Sequence, residues 1–189
     1  MAGQEYFTVV HSMVVNIEPL DKDTDFPTPD QFEAEIPHSF LVASEFSQLD
    51  HLNDRARLEL KHSDLKYVIE LLDSQNSKLN LVLTYMLSEQ DNEAYRHRTV
   101  CFGASQLSYQ SSNPLERETK TRVKLFLEHP AAAIYCYAQV SDCVEQEDDG
   151  YLITIEYELL RDADQDLLIK AALYQQQKLL RQRTLNRSE

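Results

Sequence analysis

"RVKLFLEHPAAAIYCYAQVSDCVEQEDDGYLITIEYEL", residues 122–159, alternates apolar and polar side chains with the two-residue period of an extended chain. Val123, Leu125 and Leu127 share a face against Arg122, Lys124 and Glu128, and Ile153, Ile155, Tyr157 and Leu159 oppose Thr154, Glu156 and Glu158. Between them Ile134, Cys136, Ala138 and Val140 fall on one side. The runs are short and punctuated by "EHP" and "EDDG", with "SSNP" upstream, so antiparallel pairing in a sandwich or small barrel is predicted.

Downstream, "RDADQDLLIKAALYQQQKLLRQR" changes to helical spacing. Asp162, Asp164 and Asp166 gather at its start and Lys178, Arg181 and Arg183 at its end, which complements a helix dipole and predicts a C-terminal helix over 162–189. At the other end, residues 5–17 are β-branched and aromatic, with Phe7, Val9, Met13, Val15 and Ile17 on one alternating face, and predict a strand. It leads into an acidic stretch holding Pro19, Pro27, Pro29 and Pro37, which is predicted to stay extended, so residues 1–50 read as a strand plus an extended acidic segment.

Residues 51–90 carry the strongest helical signal, over about 54–88. Leu58, Leu65, Leu72, Leu79 and Met86 recur every seventh residue, and taking them as d positions puts His62, Ile69, Asn76 and Leu83 at a. A straight helix drifts about 20° per heptad, so a strict repeat stays on one line only if the helix supercoils around a partner. At g stand Lys61, Val68, Gln75 and Val82, whose valines widen the stripe towards a higher-order bundle or a helix shared between a partner and its own domain. Thirty residues of helix reach ~45 Å, beyond the roughly 35 Å of a 100-residue domain. Two assignments stay open, an internal core helix and a seam against another chain, and the overhang favours the second. Asn76 is then expected to fix register by pairing with its copies, and His62 to be solvated. The alternation of Leu79, Leu81, Leu83, Tyr85 and Leu87 also allows a strand there, with helix preferred.

Composition narrows the function classes. A formal charge of −14 opposes the counterion release on which nucleic-acid binding depends and repels anionic membranes. Three glycines, Gly3, Gly103 and Gly150, leave no phosphate-cradling loop. Cys101, Cys136 and Cys143 are odd in number and unpaired in spacing, which fits a reducing compartment and a cytoplasmic location. The six histidines form no metal-spaced pair, and His97 and Cys101, four apart on a strand, have no orienting partner in view, so neither a metal nor catalysis is expected. Lys178, Arg181, Arg183 and Arg187 read as a solvated helix end or a contact for an acidic partner.

The order of the long helix, "YRHRTVCFGASQLSYQS", "NPLERETKTRVKLFLEHP", "AAIYCYAQVSDCVE", "GYLITIEYELL" and the final helix resembles a PilZ-type domain, and the helical arm resembles its atypical, tetramer-forming subclass. The resemblance covers residues 52–186. It implies an α+β protein with a small antiparallel β-barrel over 95–161, preceded by a coiled-coil-like helix and followed by the C-terminal one. It further implies a non-catalytic receptor or adaptor in bacterial motility, type IV pilus or biofilm control, with cyclic di-GMP as the family's usual ligand. That site needs an R-x-x-x-R loop and a D/N-x-S-x-x-G strand. Here "GASQLS" keeps Ser105, but Gly103 and Ser108 depart from the pattern, and no R-x-x-x-R stands upstream. Arg96, Arg98 and Ser105 are the nearest candidates, and weak or absent binding is expected because two phosphates and two guanines call for bidentate, planar cations. The expected assembly is a homodimer or homotetramer through Leu58, Leu65, Ile69, Leu72, Asn76, Leu79, Leu83 and Met86. A protein partner is also expected, with no nucleic acid and no membrane insertion. Alternatives are a cyclic di-GMP receptor with a non-standard site and a purely structural scaffold.

Overall fold

The alternation in residues 96–159 becomes five strands in the computed structural model: β3 (Arg96–Gly103), β4 (Gln106–Ser111), β5 (Lys120–Glu128), β6 (Ala131–Gln146) and β7 (Gly150–Leu159). Two more come from the N-terminus, β1 (Thr8–Val10) and β2 (Val14–Pro19). The structure describes residues 7–60, 65–128, 131–147 and 150–186, without the side chains of 48, 50–54, 56, 57, 185 and 186. Strand order is β3-β2-β5-β6-β7-β4, and β4 pairs back onto β3, closing a six-stranded antiparallel barrel. The expected barrel and α+β architecture are therefore present.

Residues 7–19 supply the sixth barrel strand, bent rather than straight; residues 5 and 6 of the expected strand lie outside the described residues. β1 pairs Val9 with Phe102 and β2 pairs Val15 with His97, so the N-terminal strand absorbs one extra residue between Val10 and Val14. Thr99 fills the bulge: its Oγ1 accepts the Met13 N–H at 3.1 Å and donates to the His11 carbonyl at 2.7 Å. Gly103 is where β1 crosses closest. A Cβ there would stand 2.2 Å from the Phe7 carbonyl oxygen, so the position excludes every side chain. Inside the barrel lie Val15, Ile17, Val123, Leu125, Ile134, Cys136, Ile153 and Ile155, joined by Leu167, Leu168, Ala171 and Ala172 of α4 (Asp162–Asn186). Of the acidic residues that open α4, Asp164 is fully buried and held by Arg161 through Nε–Oδ2 and Nη2–Oδ1 bonds of 2.8 and 2.7 Å.

β6 departs from the one-sided burial that its sequence predicts. Ala133, Tyr135 and Tyr137 on its outer face are as buried as Ile134 and Cys136 on its inner one, because helices cover them. Those helices correct the assignment of residues 1–50: the segment expected to be extended holds α1 (Pro29–Glu35) and the start of α2 (His38–Leu60). Pro29 and Pro37 begin helices instead of preventing them, while Pro19 ends β2. Thr28 caps α1 in a capping box with Gln31, Pro29 occupies the first turn where its missing N–H is harmless, and the Pro37 carbonyl accepts the Phe40 N–H at 2.8 Å. Glu35 ties α1 to the sheet, accepting from the Tyr135 and Tyr137 hydroxyls. Burial and that carboxylate push the Tyr137 phenol well up, so it stays a donor.

The single long helix of residues 51–90 is likewise corrected. α2 runs to Leu60 and α3 spans Lys66–Ser88, with Leu65 at non-helical φ −95°, ψ 29° between them and residues 61–64, His62 included, outside the described residues. Phe40 and Ala43 of α2 share a buried cluster on β6 with Leu83 and Leu87 of α3, so α2 leaves the barrel and α3 returns to it as an antiparallel hairpin. Residues 79–87 are helical, as preferred.

Candidate functional site

α3 is an amphipathic helix with three environments. Its C-terminal Leu83 and Leu87 are buried against the barrel, and Ile69, Asp73 and Asn76, on the same line about two to four turns earlier, are half-buried on the side facing α2. A quarter-turn away runs a second line, Leu65, Val68, Leu72, Gln75, Leu79, Val82 and Met86, spaced alternately by three and four residues. Its six apolar members are 40–59% exposed. Tyr67, Leu71, Leu81 and Tyr85 on the adjoining face are more exposed still. An apolar strip of this length is more than the singly scattered apolar side chains that a monomer's surface ordinarily shows. Charge does not oppose contact there: α3 carries two cations, Lys66 and Lys78, and two anions, Glu70 and Asp73, in a chain of net charge −14.

The seam residues expected from the heptads are thereby divided. Leu65, Leu72, Leu79 and Met86 lie on the exposed line. Ile69, Asn76 and Leu83 lie on the line turned to the chain's own α2 and barrel, and Leu58 belongs to α2, where it is exposed. Val68, Gln75 and Val82 complete the exposed line. Their g-position valines were the sequence signal, but which edge of a heptad stripe faces the chain's own domain depends on α2, which no periodicity in α3 records.

β3 carries the ligand candidates and sets them apart. Arg96 and Arg98 sit at its first end, beside an open cavity of about 530 Å³ shared with Gln110, Ser111 and Asn113. Ser105 lies past its last end, where its carbonyl accepts the Tyr157 N–H at 2.9 Å. Five residues of extended chain separate Arg98 from Gly103, on the order of 17 Å. Arg96 is already engaged: Nε donates to Asp91 Oδ2 at 2.8 Å and Nη1 to Glu93 Oε1 at 3.4 Å. Asp91 also accepts from Asn16 Nδ2 at 2.7 Å, so this arginine joins the end of α3 to β2 and β3.

Between the two arginines, His97 packs against Tyr109 with ring centroids 4.8 Å apart, and burial lowers its pKa, only partly opposed by a backbone hydrogen bond with Gln110. The folded chain therefore binds this proton less readily than the unfolded chain. Stability from this residue is complete above the unfolded value, about 6.5, and declines as the pH falls through it towards the lowered folded value. His97→Gln is expected to flatten the fall in urea stability between about pH 7 and pH 5. Equal slopes in the two proteins would contradict the assignment. At neutral pH the imidazole adds no charge to the arginine pair.

Among the described residues no group of three His, Cys, Asp or Glu side chains stands close enough to hold a metal ion, and no helix is long and apolar enough to cross a membrane.

No protein-family model and no curated protein matches the chain. Among solved structures it is similar to a protein from Xanthomonas campestris described as a new tetrameric PilZ domain self-assembled via an unusual helical bundle. Identity is 9%, the match covers 93% of this chain and 91% of that one, and the TM-score is 0.55. The Bacillus subtilis inhibitor of motility also matches, at 17% identity and a TM-score of 0.42, over 44% of this chain and 42% of that one, so the chain spans less than half its length. The fold of the chain is PilZ-like.

Proposed function

We propose that the protein is a non-catalytic, self-assembling regulatory adaptor whose PilZ-like barrel presents surfaces to a protein partner and whose α3 seam joins copies of the chain. The exposed line from Leu65 to Met86 carries this proposal, since its apolar side chains are left about half exposed in the protomer and match the spacing of a helical bundle. The similarity to a tetrameric PilZ structure built on a helical bundle supports self-association over capture of an unrelated helix. Four copies suit the width added by Leu71 and Tyr85 better than two do. The assembly is proposed to work in the cytoplasm, in bacterial motility, type IV pilus or biofilm control.

Its regulation is proposed to be independent of cyclic di-GMP. Arg96 is engaged by Asp91 and Glu93, and Ser105 lies at the opposite end of β3. Light scattering after size exclusion, with thermal melts in the presence of cyclic di-GMP, tests both parts. The expected results are a single oligomer above the 21.9 kDa chain mass and an unchanged melting temperature. A ligand at a hundred times its dissociation constant would stabilise the fold by ~2.7 kcal/mol, so a saturable upward shift would establish a receptor instead.

A further inference from the structure

The exposed line on α3 has seven positions, and the fourth is Gln75. Leu65, Leu72 and Leu79, with Met86, alternate along it with Val68, Gln75 and Val82. The three-then-four spacing makes the leucines a positions and the valines d positions, and leucine at a with a β-branched residue at d is the pattern that favours bundles of more than two helices. Gln75 breaks it once, at the midpoint, with three apolar positions on either side. It is exposed in the protomer, and its neighbour Asn76 is half-buried on the side facing α2.

We propose that Gln75 is the specificity residue of the assembly. Copies of Gln75 meet in one layer at the middle of the seam, where their amides hydrogen-bond to one another and fix register and copy number. The chemistry suits self-pairing because an amide carries donors and acceptors together, so identical residues satisfy each other without any other group. In the centred alignment every apolar layer meets apolar side chains. Sliding one chain by a heptad would set Gln75 against Val68 or Val82 and leave a buried amide unpaired. This inference rests on the self-assembly proposed above, with a second copy of this chain as the occupant of the surface.

The test compares the wild type with Gln75→Leu by light scattering and thermal melts, and Gln75→Cys with Ser77→Cys, on the far side of the helix, by oxidative cross-linking. Because Gln75 is exposed within the protomer, none of these changes touches its core. Gln75→Leu is expected to assemble and melt higher than the wild type but to distribute over more than one mass. Gln75→Cys is expected to give a covalent dimer in high yield, and Ser77→Cys at least tenfold less. A Gln75→Leu protein with the single mass of the wild type, or a Gln75→Cys oligomer that cross-links no better than the Ser77→Cys one, would overturn the role of Gln75 and leave the assembly standing. A monomeric wild type would overturn the assembly itself.

Discussion

Replacing Leu72 and Leu79 together by aspartate is expected to convert the oligomer into folded monomers of 21.9 kDa. Both leucines are about half exposed in the protomer, at 45% and 52%, so the change removes little from the chain's own core. What it removes lies between copies. Full burial of a leucine contributes roughly 1.5–3 kcal/mol, and about half of that remains to be gained when a partner covers each of these two. The loss is therefore about 1.5–3 kcal/mol per chain before the carboxylates are considered. Carboxylates in adjacent seam layers would then be desolvated beside their own copies, which is far costlier than losing apolar contact. Dissociation by at least a hundredfold follows, since every 1.4 kcal/mol is about a factor of ten. Light scattering would read the mass while circular dichroism confirms the fold. An unchanged mass with native circular dichroism would remove the seam from the assembly. Leu83→Asp, four residues further along the same helix, should behave differently and unfold the base of the hairpin, because Leu83 is buried against the barrel.

The second large effect is expected at Phe40. Its side chain is fully buried between α2 and the barrel wall, edge-on to Phe126 with ring centroids 5.9 Å apart. Phe40→Ala deletes the largest fully buried side chain that the helices contribute to this second core, and such truncations cost about 3–5 kcal/mol. For a chain of this size the melting temperature should fall by roughly 6–20 °C. The loss should also be uneven. Amide exchange is expected to rise in α2 and in the last turns of α3, while the β5–β6 ladder, held from inside by Val123, Leu125 and Ile134, remains protected. A drop of less than 2 °C would mean that the hairpin is joined to the barrel by something other than this cluster.

The barrel could be read from the sequence because each strand has one buried face, and alternation reports that directly: Val123, Leu125, Ile153 and Ile155 are all buried as their spacing predicts. β6 and the hairpin were harder for a common physical reason. Tyr135 and Tyr137 are covered by α1, and Asn76 lies on the side facing α2, so their environments depend on elements far away in sequence. α1 itself has a local signal, since Thr28-Pro29-Asp30-Gln31 is a capping box with proline in the first turn; proline breaks a helix interior, but at this position it starts one. The arginines show the opposite limit. Their types were plain in "YRHR", but the carboxylates of Asp91 and Glu93 that engage Arg96 became relevant only once the chain turned from α3 into β3.

Closure of the sheet has a consequence for the proposed self-assembly. Bringing several chains together through one helix raises the concentration of barrel around barrel into the millimolar range. An open sheet held at that density would offer each neighbour a row of unpaired amides and carbonyls to extend, the usual start of edge-to-edge aggregation. Here β3 pairs with β4 on one side and with β1 and β2 on the other, and every remaining barrel strand has two partners. β1, at the outer end of the order, is three residues long and too short to template another chain, and the other free edges are the stretches of β6 that outrun a partner, residues 131–136 beyond β7 and 141–146 beyond β5. Closure thereby limits crowding to short edges: copies that join through helices present one another with strand ends and not with an open sheet to extend.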